Sequence, residues 1–347
     1  MRRRGMGAMG VVGFASVLAA SEGAASATDD CVFVGGRDSW ALRASCVTDQ
    51  TLVVPVSRLD GRGFTITAVD PPGGHFVGAV VRNGDAELNV FRLHVTTAAL
   101  ANICDPSDDR LAGIMLDGAR GSVTFSAVTA VNQGPSGCQE GNGIVARNAV
   151  GAPRPVDVRL DANVVTGYQK TGILVTGAVR ASVSGNQVDG GGAVGAIARN
   201  GIQLGGGASA GVRFNRITGN SYTGATDVGA GVLVVGGPFY DMPFTTDVDI
   251  SSNAITGADV GVYLDNAEAD GRAAATPTQV SVMGNLIAHA AVTNGVPYSA
   301  GVLDIGNRDR ITYNRIDGAA YDPTTLPGTT FDVDLRFAID PIVHHNR

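Results

Sequence analysis

The stretch Gly167–Gly177, GYQKTGILVTG, contains a glycine followed by a β-branched residue inside a short apolar run. The same pair recurs along the chain at intervals of 29 or 30 residues, with one interval of 40. Its β-branched members are Ile114, Ile144, Ile173, Ile202, Val232, Val262 and Val302. A fixed period of this size, in short alternating segments bounded by glycine and asparagine, is typical of a solenoid.

A second repeated element lies between these pairs, an asparagine with valine or isoleucine two residues later. Its members are Asn163, Asn186, Asn215, Asn253, Asn285 and Asn314. Asparagine tolerates left-handed turns, and stacked amides can hydrogen-bond from one coil to the next, so we assign this column a structural role. Because the repeat lacks helical periodicity, it predicts an all-β fold, a single-stranded right-handed parallel β-helix with N- and C-terminal caps.

Composition supports this fold and excludes some partners. The chain of 347 residues holds 49 glycines, which disfavours long helices. Its net charge of -7 argues against a general surface for nucleic acid or anionic membranes. Beyond the N-terminus no segment is long and apolar enough for membrane insertion. We expect one β-helix domain over residues 28–347, with an N-terminal cap at 28–60, coils at 61–317 and a C-terminal cap at 318–347.

The N-terminus predicts export. Three arginines at 2–4, the apolar run GMGAMGVVGFASVLAA and the small residues ASA at 25–27 indicate a signal peptide over residues 1–27. The protein is therefore expected to be secreted or on the cell surface. Four cysteines in an exported chain predict two disulfides. Three pairings are possible, and the one we favour joins Cys31 to Cys46 and Cys104 to Cys138.

Three segments carry a family resemblance. The repeat resembles the right-handed parallel β-helix superfamily, which includes pectate lyases and alginate-modifying enzymes. More narrowly, NQGPSGCQEGNGI at 132–144, GYQKTGI at 167–173 and IARNGIQ at 197–203 resemble a group of exported bacterial β-helix proteins without assigned activity. The resemblance covers residues 45–320 and implies the fold rather than a reaction.

The alternation of the Gly-Ile strands predicts which side chains point outward. The first outward column is Met115, Val145, Leu174, Gln203, Leu233, Tyr263 and Leu303, and the second is Asp117, Arg147, Thr176, Gly205, Val235, Asp265 and Ile305. The first column is apolar for an exposed face, so either a loop or another subunit covers it, which would make an oligomer, or it is a binding platform. Long connections flank this face on both sides and predict a cleft.

A ladder of charges is predicted along one edge of the cleft. Lys170 is the only lysine in the chain and precedes Ile173 by three residues. Arg199 holds the same place one coil later, Glu140 lies one coil earlier, and Asp109 and Arg110 come one coil before that. The residues expected to bind substrate beside this ladder are Asn142, Asn200, Gln203, Tyr263 and Arg147.

Such a ladder suits removal of the C5 proton of a uronic acid. We assign Lys170 as the base, Arg199 as the partner of the uronate carboxylate and Tyr168 as the acid, with Glu140 opposing the effect of Arg199 on the lysine pKa. Arginine deprotonates too poorly to serve as the base. The sequence thus favours an exported polysaccharide lyase or uronate epimerase acting on acidic glycans.

Two alternatives remain open from the sequence. In the first alternative, the protein is a non-catalytic glycan-binding, adhesive or cell-surface β-helix, and Glu140 forms only a structural ion pair with Lys170. In the second, Asp105, Asp108 and Asp109 bind calcium, although such a run is more often a solvated loop. No other cofactor is expected. A carboxylate-pair hydrolase is disfavoured because Asp117 and Asp265 lie five coils apart.

Overall fold

Short β-strands build nearly all of the chain that the computed structural model describes, residues 29–106 and 109–347. The predicted signal peptide and Asp108 lie outside the described residues. The N-terminal strands are β1 (Phe33–Gly35), β2 (Ser39–Leu42), β3 (Cys46–Thr48), β4 (Leu52–Val54), β5 (Arg58–Asp60), β6 (Thr65–Ala68), β7 (Ala79–Asn83), β8 (Leu88–Phe91), β9 (His94–Thr97), β10 (Ala112–Asp117), β11 (Gly121–Thr124) and β12 (Ala127–Thr129).

The central coils have the longest strands. These are β13 (Asn142–Arg147), β14 (Val156–Asp161), β15 (Val164–Thr166), β16 (Thr171–Thr176), β17 (Val179–Ser184), β18 (Gln187–Val194), β19 (Asn200–Gly205), β20 (Ser209–Arg213), β21 (Arg216–Tyr222) and β22 (Ala230–Gly236).

The C-terminal coils open with a single-turn 3-10 helix at Pro238–Tyr240. Their strands are β23 (Val248–Ser251), β24 (Ala254–Ala258), β25 (Val260–Asn266), β26 (Ser281–Met283), β27 (Leu286–Ala288), β28 (Ser299–Asp304), β29 (Arg310–Thr312), β30 (Arg315–Asp317), β31 (Thr330–Asp334) and β32 (Ile342–His344).

Every third strand joins the same parallel sheet. The Gly-Ile sheet runs β4-β7-β10-β13-β16-β19-β22-β25-β28-β31, the second sheet contains β17, and the third sheet contains β18. Parallel pairing begins with β2 on β5 and ends with β32 on β29, while β1 pairs antiparallel with β2 at the N-terminal end. The predicted parallel β-helix is confirmed.

The register of the Gly-Ile sheet matches the predicted columns. Ile114, Ile144, Ile173, Ile202, Val232, Val262 and Val302 pair in sequence and are fully buried. The next residue of each strand forms the first outward column, and the second outward column pairs in the same way from Asp117 to Asp265. A continuous apolar core therefore runs the length of the solenoid, in which each coil buries its neighbour's interior face.

The asparagine column forms a buried amide ladder. Asn215 is typical, because its Oδ1 accepts hydrogen bonds from the backbone N–H and the Nδ2 of Asn186, at 2.9 Å each. Its own Nδ2 donates to the Val183 carbonyl and to Asn253 Oδ1. The predicted structural role is confirmed, and the ladder is longer than predicted, since it extends to Asn346 at one end and Ser126 at the other.

Both predicted disulfides are present. Cys31 is bonded to Cys46 in the N-terminal coil, and Cys104 is bonded to Cys138 across adjacent coils. The second bond fixes the connection that enters β10 against the connection that enters β13. It therefore supports the edge of the outer surface on which the sequence predicts a cleft.

Replacing one rung of the ladder is expected to be costly. Asn215→Ala leaves buried donors and acceptors of Asn186, Val183 and Asn253 without partners, so the free energy of unfolding should fall by about 3 kcal/mol in urea denaturation. Gln187→Ala, on an exposed position of the same turn, should stay within about 0.5 kcal/mol of the wild type. Equal stability of the two variants would contradict the ladder's role.

A buried carboxyl pair lies near the C-terminal end of the solenoid. Asp304 and Asp309 are both fully buried, and among the described residues the Oδ2 atoms of both have no hydrogen-bond partner. Their other oxygens accept hydrogen bonds from Gly306 N–H, Thr278 Oγ1 and Val280 N–H. Burial, together with the neighbouring charge of Asp309, raises the pKa of Asp304 to about 7, so Asp304 holds its proton to a higher pH than an exposed aspartate does.

This pair should make stability fall as pH rises. The pKa of Asp304 in the folded state lies above its ordinary value of 3.8, so the pair's contribution is complete below about pH 4 and lost as pH rises through about 7. Asp304→Asn should therefore gain stability over the wild type at about pH 8 and lose that advantage at about pH 4. Denaturation curves at both pH values test this, with exposed Asp332→Asn as the control, and parallel curves for wild type and Asp304→Asn would refute it.

Candidate functional site

A cleft of about 250 Å³ opens on the outer surface of the Gly-Ile sheet, across β10, β13, β16 and β19. Its floor consists of Met115, Val145 and Leu174 from the first outward column. The first two are nearly fully buried and pack with neighbouring outward alanines. The apolar column therefore serves here as the base of a cavity, closed at the sides by polar residues.

Three cationic side chains surround this floor, namely Arg110, Arg147 and Lys170. Arg147 donates to Asp117 Oδ2 at 2.8 Å, and Asp109 Oδ1 lies 4.0 Å from the same guanidinium. Two carboxylates thus hold Arg147 in place from one side. The cations gather on one surface patch although the whole chain is acidic.

Lys170 lines the cleft and is mostly buried. Its Nζ donates to the Ala198 carbonyl at 2.8 Å, and no carboxylate of the described residues lies within 4.0 Å of it. Burial lowers the lysine pKa below its ordinary value of 10.5, and the negative charge of Asp227 opposes that shift. The cleft therefore favours the neutral amine more than water does.

Amide side chains complete the cleft. Asn142 and Gln203 line it, as predicted, and the Asn142 Oδ1 accepts no hydrogen bond from the described residues. Gln203 Oε1 accepts from Asn200 Nδ2 at 2.9 Å and from Thr171 Oγ1 at 3.3 Å. Asn200 is buried, so it orients Gln203 from behind. Asn142, Gln203, Arg147 and Lys170 are thus brought together.

Glu140 does not join the ladder. Its side chain is buried, and its two carboxylate oxygens accept the backbone N–H groups of Asp105 at 3.1 Å and Leu111 at 3.0 Å. An ion pair with Lys170 is not formed. The carboxylate points toward the disulfide-linked connection before β10 because the backbone N–H groups of Asp105 and Leu111 are available there. These hydrogen bonds anchor that connection.

Tyr168 lies in the core, away from the cleft. It is completely buried, its hydroxyl donates to Asn220 Oδ1, and burial raises its pKa above the ordinary value. The expected role as the acid is not compatible with this position. The ring is a large core side chain packed against Gly172, where the missing Cβ leaves room for it.

The side chain of Arg199 points away from the cleft that Lys170 lines. Its Nε donates to the Gln169 carbonyl at 3.3 Å and its Nη1 donates to the Gly190 carbonyl. These contacts direct the guanidinium toward the irregular part of β18 around Gly190, into a different pocket. The equivalent sequence positions therefore do not share a site.

A second polar cluster lies three coils from Leu174 on the same sheet, around Tyr263. The Tyr240 hydroxyl donates to Asp265 Oδ2, and Tyr263 also hydrogen-bonds Asp265. Burial raises the pKa of Asp265, and it raises the pKa of Tyr263 as well. Sequence reasoning did not identify Tyr240 as a partner of Asp265. Its position in the long connection after β22, which flanks this face, was the signal that could have indicated it.

The calcium candidates do not assemble a site in the part of the chain that the structure describes. Asp105 pairs with His75 at 2.9 Å, whereas Asp109 faces Arg82 and Arg147. Groups of three potential ligand residues within 4.8 Å of one another occur there at Asp30, Cys31 and Cys46 and at Cys104, Cys138 and Glu140. Each of those groups contains a disulfide, whose sulfurs cannot act as thiolate ligands.

The sequence of the repeat region decides the family. Residues 112–295, more than half of the chain, match the family model described as the right-handed β-helix region. The chain belongs to the right-handed β-helix family. The match includes the Tyr263 cluster and every cleft residue except Arg110, so both sites lie on the coils that define this β-helix.

Several solved structures are similar to this chain at low sequence identity. The tailspike protein of Dettilon is 14% identical with a TM-score of 0.48, over 89% of this β-helix and 63% of the tailspike. The A-module of mannuronan C-5 epimerase AlgE4 from Azotobacter vinelandii is 14% identical with a TM-score of 0.39, over 89% and 88% of the two chains.

Periplasmic alginate epimerase AlgG is 10% identical with a TM-score of 0.38, over 88% of this β-helix and 70% of AlgG. The chain spans less than two thirds of the tailspike's length. No curated protein matches the sequence. Within the described residues, no helix has the length and apolar character needed to cross a membrane.

The single lysine makes its titration directly observable. Reductive methylation with isotope-labelled formaldehyde should give one lysine signal, and its pKa in the folded protein should lie below that of the urea-unfolded chain, because burial disfavours the cation. Asp227→Asn should lower it further, since it removes a nearby negative charge. Exposed Asp247→Asn is the control, and a folded value equal to the unfolded one would contradict the geometry.

Proposed function

We propose that this β-helix is an exported carbohydrate-active enzyme that removes the C5 proton of a uronic acid residue, as a polysaccharide lyase or a uronate epimerase on acidic glycans. One observation carries the proposal, the convergence of three cations on a cleft of about 250 Å³ in a chain of net charge -7. Basic side chains on the lining of a cleft attract anionic ligands, and Arg110 and Lys170 add their charges to that of Arg147, which Asp117 already contacts.

The cleft supports a revised assignment of roles. Lys170 acts as the base, because burial favours its neutral form and it reaches the cavity. Arg147 binds the uronate carboxylate, and Arg110 adds a second positive charge. Asn142 and Gln203 hydrogen-bond ring hydroxyls, and Met115, Val145 and Leu174 contact the apolar face of the sugar.

The chemistry follows from these positions. Arg147 neutralises the uronate carboxylate, which acidifies the adjacent C5 proton, and Lys170 takes that proton. In a lyase the electron pair then forms the C4–C5 double bond, the C4–O bond breaks, and water protonates the leaving oxygen. In an epimerase a proton returns to C5 on the opposite face. Arginine retains its proton too strongly for the first step, which accounts for lysine at this position.

Export is part of the proposal. The two disulfides are typical of oxidising compartments, and the predicted signal peptide at residues 1–27 supplies the route. A secreted or surface enzyme meets glycans outside the cell.

A non-catalytic glycan-binding protein is the second candidate. The observation that favours it is the hydrogen bond from Lys170 Nζ to the Ala198 carbonyl, which ties the lysine to the next coil as a structural rung. The same cationic cleft would then hold an acidic glycan without turnover.

Two readouts of C5 proton removal separate these candidates. With pectate, alginate, glucuronan or glycosaminoglycans in deuterium oxide, an epimerase should place deuterium at C5 of one of them, detected by NMR. A lyase should instead give the ultraviolet absorbance of an unsaturated uronate, because elimination leaves no hydrogen at C5. Lys170→Arg should lower either rate by about 100-fold or more, because the general base is lost. The ultraviolet absorbance of unsaturated uronates, followed in parallel, distinguishes a lyase from an epimerase.

The matched control is Arg216→Gln, an exposed basic residue on the third sheet, which should leave the rate unchanged. Absence of both C5 exchange and unsaturated-uronate absorbance with every substrate, with glycan binding retained, would replace the enzyme by the binding protein. Exchange or absorbance that Lys170→Arg leaves intact would remove Lys170 from the mechanism.

A further inference from the structure

A second pocket lies around Arg199, at the edge where the third sheet turns toward the Gly-Ile sheet. Its volume is about 480 Å³, and its walls include Pro135, Ser136, Val194 and Ile197. We call it the Arg199 pocket. Several glycines line it as well, so backbone surrounds much of the opening and leaves room for a ligand to approach closely.

Arg199 is the charged residue that lines this pocket, and its charge is not neutralised by a neighbour. Among the described residues, no carboxylate lies within 4.0 Å of its guanidinium. Two of its five N–H groups donate to the Gln169 and Gly190 carbonyls, which leaves three without an acceptor there. A partly buried cation of this kind is costly unless a ligand or water completes its hydrogen bonds.

Ser136 adds a second polar group to the pocket. It is 1% exposed, and its Oγ accepts the Cys138 backbone N–H at 3.1 Å. Its own hydroxyl proton is donated to no described residue. A buried hydroxyl with an unused donor and a guanidinium with unused donors therefore line the same cavity.

The pocket and the cleft lie on opposite sides of one chain crossing. Lys170 Nζ reaches forward to the Ala198 carbonyl and lines the cleft, while Arg199 Nε reaches back to the Gln169 carbonyl and lines the pocket. These two contacts join the segment Gln169–Lys170 to the segment Ala198–Arg199. Lys170 and Arg199 occupy equivalent positions on adjacent coils, yet their side chains line separate cavities.

We infer that the Arg199 pocket binds a small carboxylate-bearing sugar, of the size of one uronic acid residue, independently of the cleft. The planar guanidinium can hold a carboxylate through two parallel hydrogen bonds. The apolar surfaces of Pro135, Val194 and Ile197 fit the C–H face of a sugar ring, and the volume exceeds what an inorganic anion fills. Binding here requires no turnover at Lys170.

Calorimetric titration with galacturonic acid tests the inference, with galactose as the neutral probe of equal size. Wild type and Arg147→Gln, which removes the carboxylate partner of the cleft, should both bind galacturonic acid. In the Arg147→Gln background, Arg199→Gln should weaken the remaining affinity by about tenfold or more, because charge-assisted hydrogen bonds are lost. Inorganic sulfate should compete weakly, and galactose should not bind.

A blocking variant protects the test against misfolding. Ala196→Trp fills the pocket from an exposed lining position and leaves Arg199 with both of its carbonyl contacts, so it should also abolish this binding. Turnover by Ala196→Trp, followed as C5 exchange or as unsaturated-uronate absorbance, should remain at the wild-type rate, which keeps the two proposals separate. In the Arg147→Gln background, galacturonic acid binding that survives both Arg199→Gln and Ala196→Trp would overturn the inference, as would binding that disappears with Arg147→Gln alone.

Discussion

The stacking of one coil on the next in a fixed register is the constraint on which the rest of the molecule depends. A coil cannot bury its apolar side chains alone, so Ile173 needs Ile144 and Ile202 on either side. The buried amide ladder enforces the same register at the turn, because each amide bonds both neighbours. Once the register is fixed, every outward residue has defined neighbours on the coils above and below. The residues of a surface site can then be read from the outward columns of the sheet.

The cleft shows how this register creates chemistry on an acidic protein. Arg147 lies between Asp117 and Thr176 in the second outward column, and Lys170 enters the adjacent strand, so their charges meet over a floor that the first column supplies. Burial then lowers the pKa of Lys170, and the negative charge of Asp227 offsets only part of that shift. A solenoid thereby gathers three basic side chains around one cleft of an acidic chain.

The expected ladder was correct in its spacing and wrong in several side-chain directions. Asn142, Gln203 and Arg147 share the cleft because strand alternation and the repeat fix their place. Lys170 precedes β16 and joins them while its Nζ donates to the Ala198 carbonyl. Glu140, Tyr168 and Arg199 leave it for backbone donors, the core and a neighbouring pocket. These three precede the strands, where the chain has no regular alternation and nearby hydrogen-bond partners decide the orientation. Spacing alone carries no information about those partners.

The sequence by itself determined the fold class, the inward and outward columns, the asparagine ladder and the favoured disulfide pairing, because each follows from a period that repeats along the chain or from cysteine positions within it. Only the tertiary structure decided that Lys170 and Arg199 serve separate cavities and that Tyr240 reaches Asp265. Those contacts form between irregular connections of different coils, so they depend on local packing and backbone partners that no sequence period encodes.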